Sequence, residues 1–146
     1  LKTQAKRLSF NMISAITNQG AVRFMTYHET MTVKVLLKFF KRLINDAKRK
    51  VFMILDNLSV HHAHLVRDWL ALHRDEIEVY YLPSYSPEMN PDEYLNGDLK
   101  HRIRSAAPAR NIKQLKHTVV GHMRKLQKHP ERVKSYFRHR DIAYAA

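Results

Sequence analysis

Runs and alternations of apolar residues predict four strands in the first 82 residues. Residues 8–16 and 21–27 flank a glycine-containing turn, which predicts an antiparallel hairpin. Residues 51–56 form a nearly continuous apolar run that ends in an acid, so we expect a fully buried strand with Asp56 at its C-terminal tip. Residues 77–82 predict one more strand.

Apolar residues at helical spacing predict the helices that lie between and after these strands. The stripe from Val33 to Ile44 predicts an amphipathic helix over 32–47, and a second stripe begins at His62 and includes Trp69. Further helices are expected over 91–104, 112–128 and 130–137. The order of hairpin, helix, strand, helix, strand and helices is an α/β order. No linker or repeat divides the 146 residues, so a single domain is expected.

The charge of the chain indicates what kind of partner it binds. The chain has 26 Lys and Arg against 13 Asp and Glu, a net charge of +13. Half of the cations, 13 of them, lie between Lys100 and Arg140, where Glu131 is the single acid. A solvated helix face is the alternative for any short run, but this excess favours a phosphate backbone, in DNA or RNA. The candidate contacts in this basic, helical C-terminal part, about residues 100–140, are Lys100, Arg102, Arg104, Lys113, Lys116, Arg124 and Lys125.

Other function classes lose support on composition. The chain has no cysteine, which excludes disulfides and cysteine-based zinc sites and permits an intracellular location. No apolar run approaches the roughly 18 residues of a membrane span, so we expect no membrane partner. None of the three glycines belongs to a phosphate-binding loop or a dinucleotide fingerprint.

Two acids, Asp56 and Glu93, are the candidate catalytic residues, with 36 residues between them. Carboxylates delivered by separate elements suit Mg²⁺, a hard cation that prefers oxygen ligands. Local alternatives exist for both acids. Asn90 and Glu93 also fit the N-cap and the third helical position of a capping box, and Asp56 with Asn57 fits an ordinary turn after a strand.

The motifs around these acids resemble those of a known family. Asp56, Asn57 and His61 form a DNxxxH segment, and a LPxYSPxxNPxE segment follows. Both resemble the DDE transposases of bacterial insertion sequences, in the branch related to mariner-like elements. The matching letters of the second segment are Leu82, Pro83, Tyr85, Ser86, Pro87, Asn90, Pro91 and Glu93. One departure is Asn96, where many relatives have an aromatic residue.

The resemblance implies a ribonuclease H-like fold, with a mixed sheet flanked by helices. In relatives the first strand carries the first catalytic aspartate, and no such strand is found here. Before Asp56 the acids are Glu29 and Asp46, and neither is a convincing third ligand. We therefore expect an N-terminally truncated domain that lacks its first strand. Two open sheet edges would then favour self-association, such as a homodimer.

The resemblance also implies an activity. Asp56, Glu93 and an upstream aspartate would bind two Mg²⁺ or Mn²⁺ ions for phosphoryl transfer, that is, DNA strand cleavage and strand transfer in transposition. The partners would be double-stranded transposon ends and target DNA, and the location bacterial, cytoplasmic and DNA-associated. His61 would contact a phosphate or orient its loop. This chain alone is expected to be inert, and the alternative is a catalytically inactive, nucleic-acid-binding remnant.

Overall fold

The computed structural model of the protein describes residues 8–28 and 30–146. These residues form two compact units. The terminal unit consists of residues 8–28 and 91–146, and the central unit consists of residues 30–90. Glu29, one of the two acids considered as a third ligand, lies outside the described residues. The expectation of a single domain stays a prediction.

Strands and helices follow the α/β order expected from the sequence. The strands are β1 (Asn11–Ile16), β2 (Val22–Tyr27), β3 (Val51–Leu55) and β4 (Ile77–Tyr81). The α-helices are α1 (Val33–Ala47), α2 (His64–Leu72), α3 (Asp92–Ser105), α4 (Ile112–Gln127) and α5 (Pro130–Ser135). Short 3₁₀ helices cover Ser59–His62, Pro87–Met89, Tyr136–Arg138 and Arg140–Ala145.

The terminal unit is built on the β1–β2 hairpin and helices α3 to α5. The two strands pair antiparallel, from Asn11 opposite Tyr27 to Ile16 opposite Val22, as predicted. Gly20, in the turn, has φ +92°, and a Cβ there would lie 2.5 Å from Cβ of Pro130. Glycine is therefore required both for this backbone conformation and for this close approach. The core side chains of the unit are Val22, Leu95, Val119, Met123, Leu126, Val133, Tyr136, Phe137 and Ile142.

A polar network ties α3 to α5 and to the 3₁₀ helix that follows it. Asp98 Oδ2 accepts a hydrogen bond from Arg132 Nε at 2.9 Å and another from the hydroxyl of Tyr136. Mainly because of the bond from Arg132, the pKa of Asp98 is lowered. A lowered carboxyl pKa means that this contribution to stability is present above about pH 4 and is lost as the pH falls through the folded-state pKa.

His122, on α4, is a second polar group in this unit. Its Nε2 is buried and has no hydrogen-bond partner within the described residues. Burial lowers the pKa of His122, although the nearby carboxylate of Asp98 opposes the shift. The imidazole is thus held in its neutral form, because the charged form would lose hydration without gaining a partner.

The central unit packs α1 and α2 against a parallel pair of strands. β3 pairs with β4 from Val51 opposite Ile77 to Leu55 opposite Tyr81. Thr32 caps α1 by accepting a hydrogen bond from the backbone N–H of Val35. The buried side chains of this unit include Leu36, Phe39, Phe40, Leu43, Leu55, Val66, Ile77 and Leu82.

The prediction that the strand before Asp56 is fully buried is wrong. Phe52 is 63% exposed and Ile54 is 43% exposed, whereas Leu55 is buried. Alternate side chains of a strand point to opposite faces, and the face with Phe52, Ile54 and the 52% exposed Tyr80 is left open. Leu65, an apolar residue of the helical stripe predicted from His62 onward, is also exposed, at 63%.

The expected mixed sheet is also not formed by the described residues. Their strands make two separate two-stranded sheets, antiparallel β1–β2 and parallel β3–β4. Both strands of each sheet belong to the same unit, and no further described strand pairs with the outer edges of either sheet. The absence of a first strand, inferred from the resemblance, stays a prediction.

We expect Asp98→Ala to lower the free energy of unfolding by about 1–3 kcal/mol, because it leaves the buried hydroxyl of Tyr136 without its acceptor. Tyr136→Phe removes that hydroxyl and serves as the matched variant. Urea unfolding of both single variants and of the double variant should show that the double variant loses less stability than the sum. Additive losses would show that the two side chains are not coupled.

We expect the stability of the protein to fall as the pH decreases below about 6.5, because an unfolded histidine gains a proton there while folded His122 does not. His122→Leu should reduce this part of the pH dependence. The measurement is urea unfolding of both proteins between neutral pH and about pH 5, where the carboxylates are still ionised. Parallel pH profiles for the two proteins would contradict the assignment.

Candidate active site

Asp56 follows β3 directly and its carboxylate is held by an amide. Asn90 Nδ2 donates a hydrogen bond of 2.8 Å to Asp56 Oδ1. The backbone carbonyl of Asp56 accepts a 2.6 Å hydrogen bond from Nδ1 of His61. Asp56 is half-buried. Its side chain and its backbone are therefore both restrained, and Oδ2 makes no hydrogen bond with the described residues.

His61 closes the DNxxxH segment into a compact turn. Its side chain is buried, with 7% of its surface exposed. The hydroxyl of Tyr81 donates a 2.6 Å hydrogen bond to the backbone carbonyl of His61, which ties the turn to β4. Burial raises the pKa of Tyr81, which keeps the hydroxyl protonated as a donor. In this structure His61 orients the loop of Asp56, and its contact with DNA stays a prediction.

A second link joins the two motif segments. Asn57 Nδ2 donates a 2.7 Å hydrogen bond to Ser84 Oγ, and the backbone N–H of Leu82 donates to the carbonyl of Leu55 at 2.8 Å. The LPxYSP segment is thus anchored to the end of β3. Tyr85 is fully exposed and has φ +57°. The tyrosine of the motif is therefore free to contact another molecule.

The N-cap interpretation of Asn90 is wrong. Pro91 is the N-cap residue of α3, with helical angles of φ −62° and ψ −22°. Asn90 lies one position earlier with extended backbone, and its side-chain amide contacts Asp56 instead. The amide N–H of Asn90 thus bonds to a residue 34 positions away in the chain, which local sequence preference does not predict.

Glu93 lies in the first turn of α3 and is exposed. The neighbouring acid, Asp92, is different, because both of its carboxylate oxygens accept hydrogen bonds from Ser14 Oγ on β1, at 2.9 and 3.0 Å. The helix N-terminus favours a negative charge on both residues. The structure therefore separates a structural acid, Asp92, from an accessible one, Glu93. Next to them, Tyr94 stacks on His139 with ring centroids 3.8 Å apart.

A divalent cation such as Mg²⁺ needs several oxygen ligands close together. Among the described residues, no group of three or more His, Cys, Asp or Glu side chains could hold a metal ion. Asp56 and Glu93 are oxygen donors of the type that Mg²⁺ and Mn²⁺ prefer, and Asp56 Oδ2 is free within the described residues. Each acid is chemically suited to such a cation, and a complete ligand set needs a further carboxylate. Asp46, the described alternative, is exposed on α1.

The predicted DNA-contacting cations all belong to the terminal unit. Lys100, Arg102 and Arg104 are exposed on the C-terminal half of α3. Lys113, Arg124 and Lys125 are exposed on α4, where Lys116 is half-buried. Among the helices that the structure describes, none has the length and apolar character needed to cross a lipid bilayer.

The catalytic role of Asp56 and Glu93 stays a prediction, and sequence reasoning missed the partners of these acids. Asn90 appeared as a motif residue and as a cap, without its contact to Asp56, and the pair of Asp92 and Ser14 was not predicted. The available signal was position in the sequence, because the two motif segments contain the partner residues Asn57, Ser84 and Asn90.

Comparisons with solved structures define the class of fold. The structure is similar to the crystal structure of the catalytic domain of Mos1 mariner transposase, with a TM-score of 0.62 and 16% identity, over 94% of this chain and 79% of that one. It is also similar to the Mos1 strand transfer complex, with a TM-score of 0.61 and 20% identity. That match covers 99% of this chain and 45% of the Mos1 chain. The α/β prediction is confirmed, and the fold is ribonuclease H-like.

The family follows from the sequence. Residues 1–116 match the DDE superfamily endonuclease family, and the chain belongs to it. No curated protein is significantly similar in sequence. An endonuclease family is thereby shown, in agreement with the resemblance of the motifs to DDE enzymes.

We expect Asn90→Asp to destabilise the protein at neutral pH, because it places a second carboxylate against Asp56 Oδ1. Asn90→Ala is the control that removes the hydrogen bond without adding charge, at a cost of about 0.5–1.5 kcal/mol. The difference between the two variants should shrink below about pH 4, where carboxyl groups gain protons. Urea unfolding at both pH values measures it, and a difference independent of pH would contradict the contact.

Proposed function

We propose that the chain is the catalytic domain of a DDE transposase of a bacterial insertion sequence, which cleaves and transfers DNA strands with divalent metal ions. The observation that carries this is the geometry of the Asp56 carboxylate, which follows β3. Asn90 donates a hydrogen bond to its Oδ1, and no described residue hydrogen-bonds its Oδ2, so Oδ2 is available to a ligand. Membership in the DDE endonuclease family supports the same reaction class.

Each residue has a distinct role in this proposal. Asp56 and Glu93 provide oxygen ligands for Mg²⁺ or Mn²⁺, together with a third carboxylate. Two bound ions would activate a water or a DNA 3′-hydroxyl and stabilise the leaving oxygen. Asn90 orients the carboxylate of Asp56, while His61 and Tyr81 restrain the backbone on either side of it.

The proposed substrate is double-stranded DNA, as transposon ends and as target. The net charge of +13 supports a polyanionic partner. One similar structure is described as a strand transfer complex of Mos1. A cytoplasmic, DNA-associated location in bacteria and self-association as a homodimer belong to the same proposal. Sedimentation of the purified chain tests the self-association.

Substitution of the two acids tests the metal role. We expect Asp56→Asn and Glu93→Gln to lower metal-dependent nicking of DNA by at least about 100-fold, because lost ligands cost more than the 10–100-fold typical of the groups around them. Asp92→Asn is the matched control. It removes the same charge in the same helical turn, but from a carboxylate bound to Ser14, and should retain nicking within a few-fold.

The assay uses supercoiled DNA with Mg²⁺ or Mn²⁺, and a protein extended N-terminally through the expected aspartate-bearing strand. The chain of residues 1–146 alone is expected to be inert. Nicking by folded Glu93→Gln protein at the unsubstituted rate would remove Glu93 from the site. DNA binding without nicking by the extended, unsubstituted protein would support the inactive remnant instead.

A further inference from the structure

One face of α4 and its C-cap carries three cations, Lys113, Arg124 and Lys128, with His117 and Gly121 between them. Lys113, His117, Gly121, Arg124 and Lys128 follow one another at intervals of three or four residues, which places them on one side of the helix. All of them are exposed. At 1.5 Å per residue the row is about 22 Å long. We call these residues the α4 stripe.

The opposite side of α4 fixes the direction of the stripe. Val119, Met123 and Leu126 are buried in the core of the terminal unit. Gln127 Nε2 donates a 3.0 Å hydrogen bond to the backbone carbonyl of Val22, which ties the end of the helix to β2. The stripe therefore faces solvent on a helix that cannot rotate without disrupting its core.

The charge of the stripe is not neutralised by the part of the chain that the structure describes. No acid occurs between Asp98 and Glu131 in the sequence. These two acids pair with cations of the segment 132–138, with 2.9 Å for Asp98 to Arg132 and 3.1 Å for Glu131 to Lys134. Within the described residues, the stripe cations take part in no ion pair. Their attraction is available to an external anion.

The surface beside the first half of the stripe is concave. An open groove of about 750 Å³ is lined by Lys113, His117 and Val120 on α4 and by Ala107 and Pro108 on the preceding loop. The loop side chains that line the groove are small and uncharged, so they neither repel a phosphate nor fill the groove. A backbone that follows the stripe can settle against this loop.

Gly121 lies in the middle of the stripe, and a Cβ added there would meet nothing within 4 Å. Glycine is costly inside a helix, and here no packing contact or positive φ requires it. It leaves the helix backbone open between His117 and Arg124, where an external chain can approach closely.

We propose that the α4 stripe is a docking surface for the sugar–phosphate backbone of double-stranded DNA, with Lys113, Arg124 and Lys128 each contacting a phosphate. The inference rests on the proposed function, which makes DNA the substrate, and assigns the contact to one helix face. Lys116 and Lys125 lie off this face and contribute less. Contacts to phosphates position the duplex without selecting its sequence.

The test compares two triple variants of the 146-residue chain that remove equal charge. Lys113→Gln/Arg124→Gln/Lys128→Gln removes the stripe cations. Lys34→Gln/Lys38→Gln/Lys41→Gln removes three exposed lysines that share a face of α1. Fluorescence anisotropy with a short labelled duplex, in EDTA, measures affinity across a range of salt, and circular dichroism checks the fold.

We expect the stripe variant to bind at least about 10-fold more weakly at about 100 mM salt, and its log–log salt slope to fall by about 2.7, or about 0.9 per lost phosphate contact. The α1 variant should keep most of the affinity and most of the salt slope. Equal losses in the two variants would overturn the stripe while leaving DNA as the partner. Absence of binding by the unsubstituted chain would overturn both the stripe and the DNA partner.

A second pair of variants uses the open position at Gly121. Gly121→Glu and Gly121→Gln add side chains of the same size, and neither disturbs packing, since nothing lies within 4 Å of the added Cβ. Gly121→Glu should bind the duplex several-fold more weakly than Gly121→Gln, because its carboxylate lies among the stripe cations. Equal affinities would contradict contact at this face. Because no metal is present, neither result depends on the roles of Asp56 and Glu93.

Discussion

The hydrogen bond from Asn90 to Asp56 is the interaction on which the candidate site depends. It joins the acid after β3 to the residue that ends the central unit, two positions before α3 begins. A carboxylate with one oxygen engaged by an amide loses rotational freedom. The buried imidazole of His61 restrains the backbone at the same point. A ligand atom is thus presented in a fixed direction before any cation arrives, which lowers the entropic cost of binding one.

The terminal unit achieves its order by a different means. Its helices α3 to α5 carry nine Lys and Arg residues, and the acid that balances part of this charge, Asp98, is used at the junction of α3 with Arg132 and Tyr136. One carboxylate satisfies both a guanidinium and a buried hydroxyl, which stabilises the segment after α4. The exposed cations of α4 remain unbalanced. Internal pairing therefore joins α3 to α5, while the external charge lies on α4.

The strands and helices were predictable because periodicity is a local property. The hairpin, the helix that Thr32 caps and the helix that Asn111 caps all lie close to the expected positions. Burial was less predictable, since the run through Phe52 and Ile54 shows apolar character without showing which faces are covered. The two candidate acids follow from motif spacing, and their catalytic role stays a prediction.

Their partners were not predictable, because the competing choice was local. Asn90 before Pro91 is a favourable helix start, and only the folded chain shows that Asp56 takes its amide. The Asp98 network has the same origin, with partners 34 and 38 residues away that no periodic pattern connects. Long-range polar contacts of this kind depend on tertiary structure, and local preference does not contain them.

The discontinuity of the terminal unit has a consequence for the order of folding. Its hairpin is complete by residue 27, but the helices that cover it begin only at Asp92. The intervening residues form a continuous unit whose contacts are closer in sequence, so its chain-closure entropy is smaller. During synthesis the central unit can therefore form first, while the hairpin lacks its helices. The hairpin is synthesised before the central unit and is consolidated after it, so its strand edges stay open to pairing with other chains in the meantime.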